Sequence, residues 1–206
     1  MSRSGSVGQA EGPRSGDDGS VSVEIVFETH SVSVDNEREI ATGWRHGELS
    51  ESGRRLAAEL GRRHRREPPA AVFTSDLGRA VETAQIAFGN TGVPIYLDAR
   101  LRECDYGDLT GMPVSRLDAE RAGRVTEPFP GGESYRQVVG RVQDFLRDLA
   151  AGHTGQRIVV IGHAATRFAF DQLLGGKVLE DVVVAPFDWR EGWRYVLDEP
   201  PEAATV

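Results

Sequence analysis

Two histidines stand directly after the two most apolar strands that the sequence predicts. Residues 23–29 (VEIVFET) precede His30, and residues 157–161 (RIVVI) precede Gly162 and His163. If these strands are parallel neighbours, both imidazoles reach the carboxyl edge of one sheet, where α/β proteins place their sites. An imidazole can act there as a nucleophile or a proton carrier. The spacing therefore predicts a site built around His30.

Two further charged side chains follow predicted strands. Arg79 comes after a strand at residues 70–74, and its guanidinium is a permanent, forked donor suited to a phosphoryl group. Glu103 lies beyond a third strand at residues 93–97, where a carboxyl group can serve as a general acid. Singly, Arg79 also fits a surface ion pair and Glu103 a solvated carboxylate. Their joint placement with two histidines favours phosphoryl transfer through a nucleophilic histidine.

The elements that must position these side chains alternate between strands and helices. In chain order we expect strand 23–29, loop 31–48, helix 53–66, strand 70–74, a helix ending near Phe88, strand 93–97, a short helix at 115–122, helix 133–151, strand 157–161, a helix ending at Gly175 and a strand or hairpin at 189–197. Ser50 is expected to cap the first long helix, and Ser75 or Asp76 the second. This alternation predicts an α/β three-layer domain with a mostly parallel central sheet flanked by helices.

Composition limits the kind of protein this is. The chain has 206 residues and a formal net charge of −8, which argues against non-specific binding to nucleic acid or to an anionic membrane. One domain is expected over residues 21–198, between a disordered tail at 1–20 and a C-terminal tail at 199–206. No apolar run approaches the ~20 residues that span a bilayer. The single cysteine, Cys104, excludes an intrachain disulfide and favours the cytoplasm.

Five short motifs occur in order along the chain. They are residues 29–36 (THSVSVDN) with TGW (42–44) and LSESG (49–53), SDLGRAVETA (75–84), LRECDYG (101–107), GGES (131–134) and VIGHA (160–164). In type and order these motifs resemble those of the histidine phosphatase superfamily, whose fold is phosphoglycerate-mutase-like. The resemblance covers about residues 23–197 and implies that fold.

The resemblance also implies a role for each matching residue. His30 would be the nucleophile that becomes phosphorylated, and His163 and Arg79 would hold the transferring oxygens. Asn36 would add a neutral donor, and Glu103 would protonate the leaving oxygen and then activate water. The remaining substrate-binding residues that we expect are Ser33, Thr42, Gly43, Thr29 and Ala164.

The first motif departs from the family pattern on both sides of His30. Thr29 stands where the family has arginine, and Ser31 where it has glycine. Losing one charge-assisted hydrogen bond costs roughly 1.5–3 kcal/mol. Arg45 and Arg167 are candidates for a cation that compensates for this loss.

A second stretch spells the letters of the family signature in another place. Arg45 to Glu48 reads RHGE, but it follows no apolar strand and directly precedes a helix start. We therefore do not expect His46 to be the nucleophile. His64 and His153 lie in polar surroundings at predicted helix ends and are expected to be solvated.

Three functions remain open at this level. The first is a phosphomonoester hydrolase that forms a phosphohistidine, and the second is a catalytically inactive protein that binds a phosphorylated ligand. The third is a phosphotransferase resembling phosphoglycerate mutase. Each would take a small phosphorylated substrate. We predict no metal and no organic cofactor, because spacings such as C-x-x-C are absent from the sequence. The sequence leaves the choice between a monomer and a homodimer open.

Overall fold

The central sheet has five strands in the order β3-β2-β4-β1-β5. The structure is a computed structural model, and it describes residues 22–199. The strands are β1 Val23–Thr29, β2 Ala71–Thr74, β3 Ile95–Leu97, β4 Arg157–Gly162 and β5 Trp193–Leu197. β1 and β4 are parallel neighbours, β2 is parallel to both β4 and β3, and β5 is antiparallel to β1. The predicted α/β fold with a mostly parallel sheet is therefore confirmed.

Helices cover both faces of this sheet. They are α1 Val34–Glu37, α2 Glu51–His64, α3 Gly78–Phe88, α4 Val114–Glu120, α5 Tyr135–Gly152, α6 Ala164–Leu173 and α7 Leu179–Val184. Helices α5, α6 and α7 bury their apolar side chains against one face, and α2 and α3 against the other. Because alternate residues of a strand point to opposite faces, Phe27 joins the first cluster and Val26 the second. Burial on both faces explains why β1 and β4 are nearly continuous apolar runs.

Local sequence sets where the helices begin. Ser50 caps α2 by accepting a hydrogen bond from the Gly53 amide at 3.1 Å, as predicted. The predicted cap of α3 is wrong, because that helix begins at Gly78 without a side-chain cap. The Ser75 hydroxyl instead accepts from the Leu77 amide at 3.2 Å. The Asp76 carboxylate pairs with a guanidinium further along the chain.

Several other elements differ from the expectation. The stretch predicted as a loop over residues 31–48 contains the one-turn helix α1, and α7 was not anticipated. The expectation for His64 is also wrong, since only 6% of this residue is exposed. Its Nε2 lies 2.9 Å from a Glu28 carboxylate oxygen, also buried. The predicted tails at 1–20 and 199–206 lie outside the described residues, except for Glu199. Within residues 22–199, no helix combines the length and apolar character that crossing a bilayer requires.

Candidate active site

The register of β1 against β4 brings the two strand-end histidines together. Thr29 pairs with Gly162, so that His30 and His163 leave the same edge of the sheet side by side. The His30 amide donates to the Gly162 carbonyl at 2.9 Å and fixes this exit. The two imidazole rings have centroids 5.0 Å apart. Because the strands are parallel, this edge is the carboxyl edge, where the sequence predicted that they would meet.

The hydrogen bonds of His30 define its tautomer. Nδ1 lies 2.7 Å from the Ser31 carbonyl oxygen, which can only accept, so Nδ1 carries the proton. Nε2 lies 3.2 Å from Nε of Arg79, which can only donate, so Nε2 presents a lone pair. Burial, together with the Arg79 charge, lowers the pKa of His30 to about 3. The ring is therefore neutral at physiological pH.

Arg79 is the cation at the base of the site. It enters from the first turn of α3 and is only 2% exposed. All five of its N–H groups are engaged, two of them with the histidine rings at 3.2 Å each. The others reach the carbonyl oxygens of Gly43 at 2.9 Å, Arg45 at 2.7 Å and His46 at 3.4 Å. The guanidinium thus holds both imidazoles and the loop before α2 in one arrangement.

His163 offers a free donor to the site. Its Nδ1 accepts from Arg79, so the ring proton is on Nε2. This Nε2 is buried and has no hydrogen-bond partner among residues 22–199. Burial, with the charge of Arg79 and the neighbouring His30, lowers the pKa of His163 well below its ordinary value. A neutral ring with an unsatisfied buried N–H is suited to receive an anionic oxygen.

Glu103 is fixed by two backbone amides. Its Oε1 accepts from Cys104 N at 2.8 Å and from Ala165 N, in the first turn of α6, at 3.1 Å. The residue is 8% exposed and lines the same cavity as both histidines. Within the described chain Oε2 forms no hydrogen bond, so this oxygen is the one available to a ligand.

The cavity above these groups has a volume of about 570 Å³. Five of the six expected substrate-binding residues line it: Thr29, Asn36, Thr42, Gly43 and Ala164. Ser33 is fully buried and does not line the cavity, because its hydroxyl caps α1 by accepting from the Asn36 amide at 3.1 Å. In return, the Asn36 side-chain oxygen accepts from Ser33 N at 3.0 Å. Only the amide NH2 of Asn36 therefore remains for a ligand.

Neither of the suggested compensating cations lines the cavity. Arg45 donates to the Thr110 carbonyl at 3.2 Å, and Arg167 pairs with Asp171 at 2.6 Å. The cavity is lined instead by Arg63, Arg79 and Arg121. Arg121 follows α4, near the end of the short helix predicted at residues 115–122, and was not marked because it belongs to no motif and follows no strand.

Apolar side chains form much of the cavity wall. They come from α2, α4 and the connection between α7 and β5, and none was identified from the sequence: Leu56, Leu60, Val114, Leu117, Phe187 and Trp189. His46 is exposed and lies outside this lining, in agreement with its exclusion as a nucleophile. The described part of the chain contains no group of three or more His, Cys, Asp or Glu side chains placed to hold a metal ion.

The fold and the paired histidines define an α/β protein with an anion-receptive pocket at the carboxyl edge of its sheet. A family model, described as histidine phosphatase superfamily (branch 1), matches residues 25–181. The chain therefore belongs to this superfamily, and the resemblance found in its motifs is confirmed.

Individual relatives agree with this assignment. A 2,3-bisphosphoglycerate-dependent phosphoglycerate mutase of Methylobacterium sp. (strain 4-46) is 33% identical, over 77% of this chain and 83% of its own. The structure of Bacillus stearothermophilus YhfR matches with a TM-score of 0.76 at 25% identity, over 88% of this chain and 95% of that chain. A mycobacterial glucosyl-3-phosphoglycerate phosphatase matches with a TM-score of 0.68 at 25% identity, over 78% and 83% of the two chains.

Proposed function

We propose that this protein is a phosphomonoester hydrolase that forms a phosphohistidine on Nε2 of His30. The observation that carries the proposal is the neutral His30 ring, which lines the cavity, whose Nδ1–H is held by the Ser31 carbonyl and whose Nε2 carries the lone pair that accepts from Arg79. A neutral imidazole with a fixed tautomer is a ready nucleophile at physiological pH. The unsatisfied Nε2–H of His163 lies beside it as a donor for a phosphoryl oxygen. Arg79 adds its positive charge, and its Nε–H becomes available to a phosphoryl oxygen once His30 Nε2 is bonded to phosphorus.

The reaction proceeds in two steps that balance in atoms and protons. In the first, His30 Nε2 forms a bond to phosphorus while the ester P–O bond breaks, and protonated Glu103 gives its proton to the leaving oxygen. In the second, the Glu103 carboxylate takes a proton from water, whose oxygen bonds to phosphorus while the P–N bond breaks. Inorganic phosphate leaves, and both residues return to their starting state.

The charges in the cavity favour a hydrolase over a mutase. Three arginines and four glutamates line it. Arg63 is paired through Nη2 with both carboxylate oxygens of Glu28, each at 3.2 Å, so its charge is already balanced. A substrate with a second phosphate would meet Glu59 and Glu191 on the α2 side. One phosphoryl group with a weakly charged alcohol therefore fits the cavity better than a bisphosphate.

One observation favours a second candidate, a non-catalytic binder of a phosphorylated ligand. Thr29 lines the cavity directly beside His30 and offers a neutral hydroxyl where a second cation would assist transfer. Such a protein would bind phosphate through Arg79 and His163 without turnover.

The deciding experiment compares turnover of p-nitrophenyl phosphate by the wild type, His30→Gln and His46→Gln. His46 is the matched control, since it is exposed and lies outside the cavity. We expect His30→Gln to abolish turnover and His46→Gln to retain the wild-type rate. An alkaline detergent quench during turnover of a ³²P-labelled ester should trap a phosphoprotein in the wild type but not in His30→Gln, and the label should be released by acid.

Each competing function predicts a different result. Equal rates in the wild type and His30→Gln would remove His30 from the mechanism. Thermal stabilisation by inorganic phosphate without hydrolysis of any ester would identify a binder. Movement of phosphate between hydroxyls of one substrate, without release, would identify a mutase.

A further inference from the structure

The segment that carries Glu103 is anchored by side chains from elsewhere in the fold. The carbonyl oxygens of residues 100–103 each accept a hydrogen bond from a distant side chain. Thr166, on α6, donates to the carbonyls of Leu101 at 2.9 Å and Arg102 at 3.3 Å. The Glu103 carbonyl accepts from the Trp44 indole N–H at 2.7 Å.

Arg141, on α5, supplies the largest share of these contacts. Its Nη1 donates to the carbonyls of Arg100 at 2.6 Å and Arg102 at 2.8 Å, and its Nη2 donates to that of Glu103 at 2.9 Å. Its Nε and Nη2 also pair with the Glu133 carboxylate at 2.9 and 3.1 Å. All five N–H groups of a guanidinium are thereby used, in its fixed fork geometry.

The position of Glu103 depends on this anchoring. Its Oε1 is held by two amides, one of which, Cys104 N, belongs to the next residue of the same segment. The other is Ala165 N of α6, at 3.1 Å. If the carbonyl of Glu103 moves, its carboxylate and the Cys104 amide move with it, and the bond to α6 is lost. The Arg141 side chain is only 16% exposed and is paired with Glu133, so its position is well fixed.

We propose that Arg141 is a positioning residue, which clamps the carbonyls of Arg100, Arg102 and Glu103 so that the Glu103 carboxyl group meets the leaving oxygen. Arg141 does not line the cavity and touches no substrate. The inference rests on the proposed hydrolase function. It goes beyond that function by assigning the alignment of the general acid to a residue on a different helix.

Protonation of the leaving group gives this role a distinctive signature. A nitrophenolate leaves readily without a proton, whereas an alkoxide needs one in the transition state. A misplaced Glu103 therefore slows cleavage of the ester bond in an alkyl phosphate more than in p-nitrophenyl phosphate. A general loss of folded enzyme would slow both substrates by the same factor.

The test measures kcat and KM for p-nitrophenyl phosphate and ethyl phosphate in Arg141→Lys and Trp44→Phe. Arg141→Lys keeps the charge but cannot span three carbonyls, and Trp44→Phe removes one donor while retaining an aromatic ring. Glu103→Gln removes the proposed general acid and therefore sets the largest difference expected between the two substrates. Arg147→Lys is the matched control on α5, since the Arg147 side chain is 41% exposed and pairs with Asp144.

We expect Arg141→Lys to lower kcat/KM, which reports the steps up to departure of the leaving group, about 10-fold more for ethyl phosphate than for p-nitrophenyl phosphate, in the direction of Glu103→Gln. Trp44→Phe should show a smaller shift in the same direction, and KM should change little in either variant. The Arg147→Lys control should retain the wild-type ratio. Equal losses for both substrates in Arg141→Lys would overturn the proposal.

A measurement independent of turnover separates this inference from the proposed function. Amide hydrogen exchange reports the bonds that Cys104 N and Ala165 N donate to Glu103. We expect faster exchange at both amides in Arg141→Lys and unchanged exchange in Arg147→Lys. Unchanged exchange in Arg141→Lys would overturn the anchoring role whether or not the protein hydrolyses esters. If the wild type hydrolyses no ester but the exchange results are as expected, the proposed function is contradicted and the anchoring role is not.

Discussion

Replacing His30 with glutamine should make the protein less sensitive to acid, although it removes the proposed nucleophile. In the folded protein the pKa of His30 is lowered to about 3, first by burial and then by the Arg79 charge. In the unfolded chain the pKa of histidine is about 6.5. Between these values only the unfolded state takes up the proton, so acid favours unfolding. The stability associated with the neutral ring is complete above pH 6.5 and is lost as the pH falls toward 3.

The linkage relation gives the size of the effect. Between pH 7 and pH 4, a histidine with these two pKa values lowers the free energy of unfolding by about 3 kcal/mol. This figure is an upper value, because one edge of the ring faces a cavity that admits water. His30→Gln removes this contribution, whereas carboxylates contribute alike in both proteins and cancel in the comparison.

Urea unfolding at pH 7 and at pH 4 measures the difference directly. We expect the wild type to lose about 3 kcal/mol more than His30→Gln over this interval. A nuclear magnetic resonance titration of the His30 Cε1–H provides the second readout, and its chemical shift should stay constant from pH 8 to pH 5. An equal loss of stability in both proteins, or a titration midpoint near 6.5, would refute the reasoning about the buried neutral ring.

Other substitutions test the remaining parts of the site and fold. Arg79→Lys cannot hold two imidazoles and three carbonyls, so turnover of p-nitrophenyl phosphate should fall at least about 100-fold; near-normal turnover would contradict its proposed role. Thr29→Arg should tighten binding of inorganic phosphate in calorimetry, by about 10-fold or more for one charge-assisted hydrogen bond; unchanged affinity would show that this position does not reach the anion. A Cβ at Gly107 would lie 2.1 Å from the Pro130 carbonyl oxygen, at a φ of +51°, so Gly107→Ala should lower the free energy of urea unfolding by about 2 kcal/mol or more. Gly123→Ala is its control, because nothing lies within 4 Å of its added Cβ, and equal stability of the two variants would contradict the steric argument.

Strand ends were the part of the site that the sequence predicted best. His30 and His163 follow short apolar runs that are typical of strands buried on both faces. Parallel pairing of these strands then places the two histidines together. Arg79 and Glu103 were found because they also follow strands. The apolar wall contributed by Leu56 could not be found this way, because an exposed apolar side chain on a helix gives no indication of what it faces.

The features that escaped prediction are those held by specific hydrogen bonds and not by a periodic pattern of apolar residues. Helix α1 is a single turn without a buried residue, held by the capping box of Ser33 and Asn36. Residues 98–113 are secured largely by side-chain hydrogen bonds such as those of Arg141, which join positions about 40 apart in sequence. Likewise His64 is buried because Glu28 of β1 lies opposite it, a pairing that local sequence around the helix end does not reveal.

The arrangement around Arg79 has a consequence for handling the protein in solution. All its hydrogen-bond partners are carbonyl oxygens and imidazole nitrogens, which are neutral acceptors. A buried positive charge without an anionic partner favours any small anion that fits beside it. Melting temperature should therefore depend on which buffer salt is chosen, rising with phosphate or sulfate relative to chloride at equal ionic strength. Phosphate buffer would at the same time occupy the site and depress the measured rate.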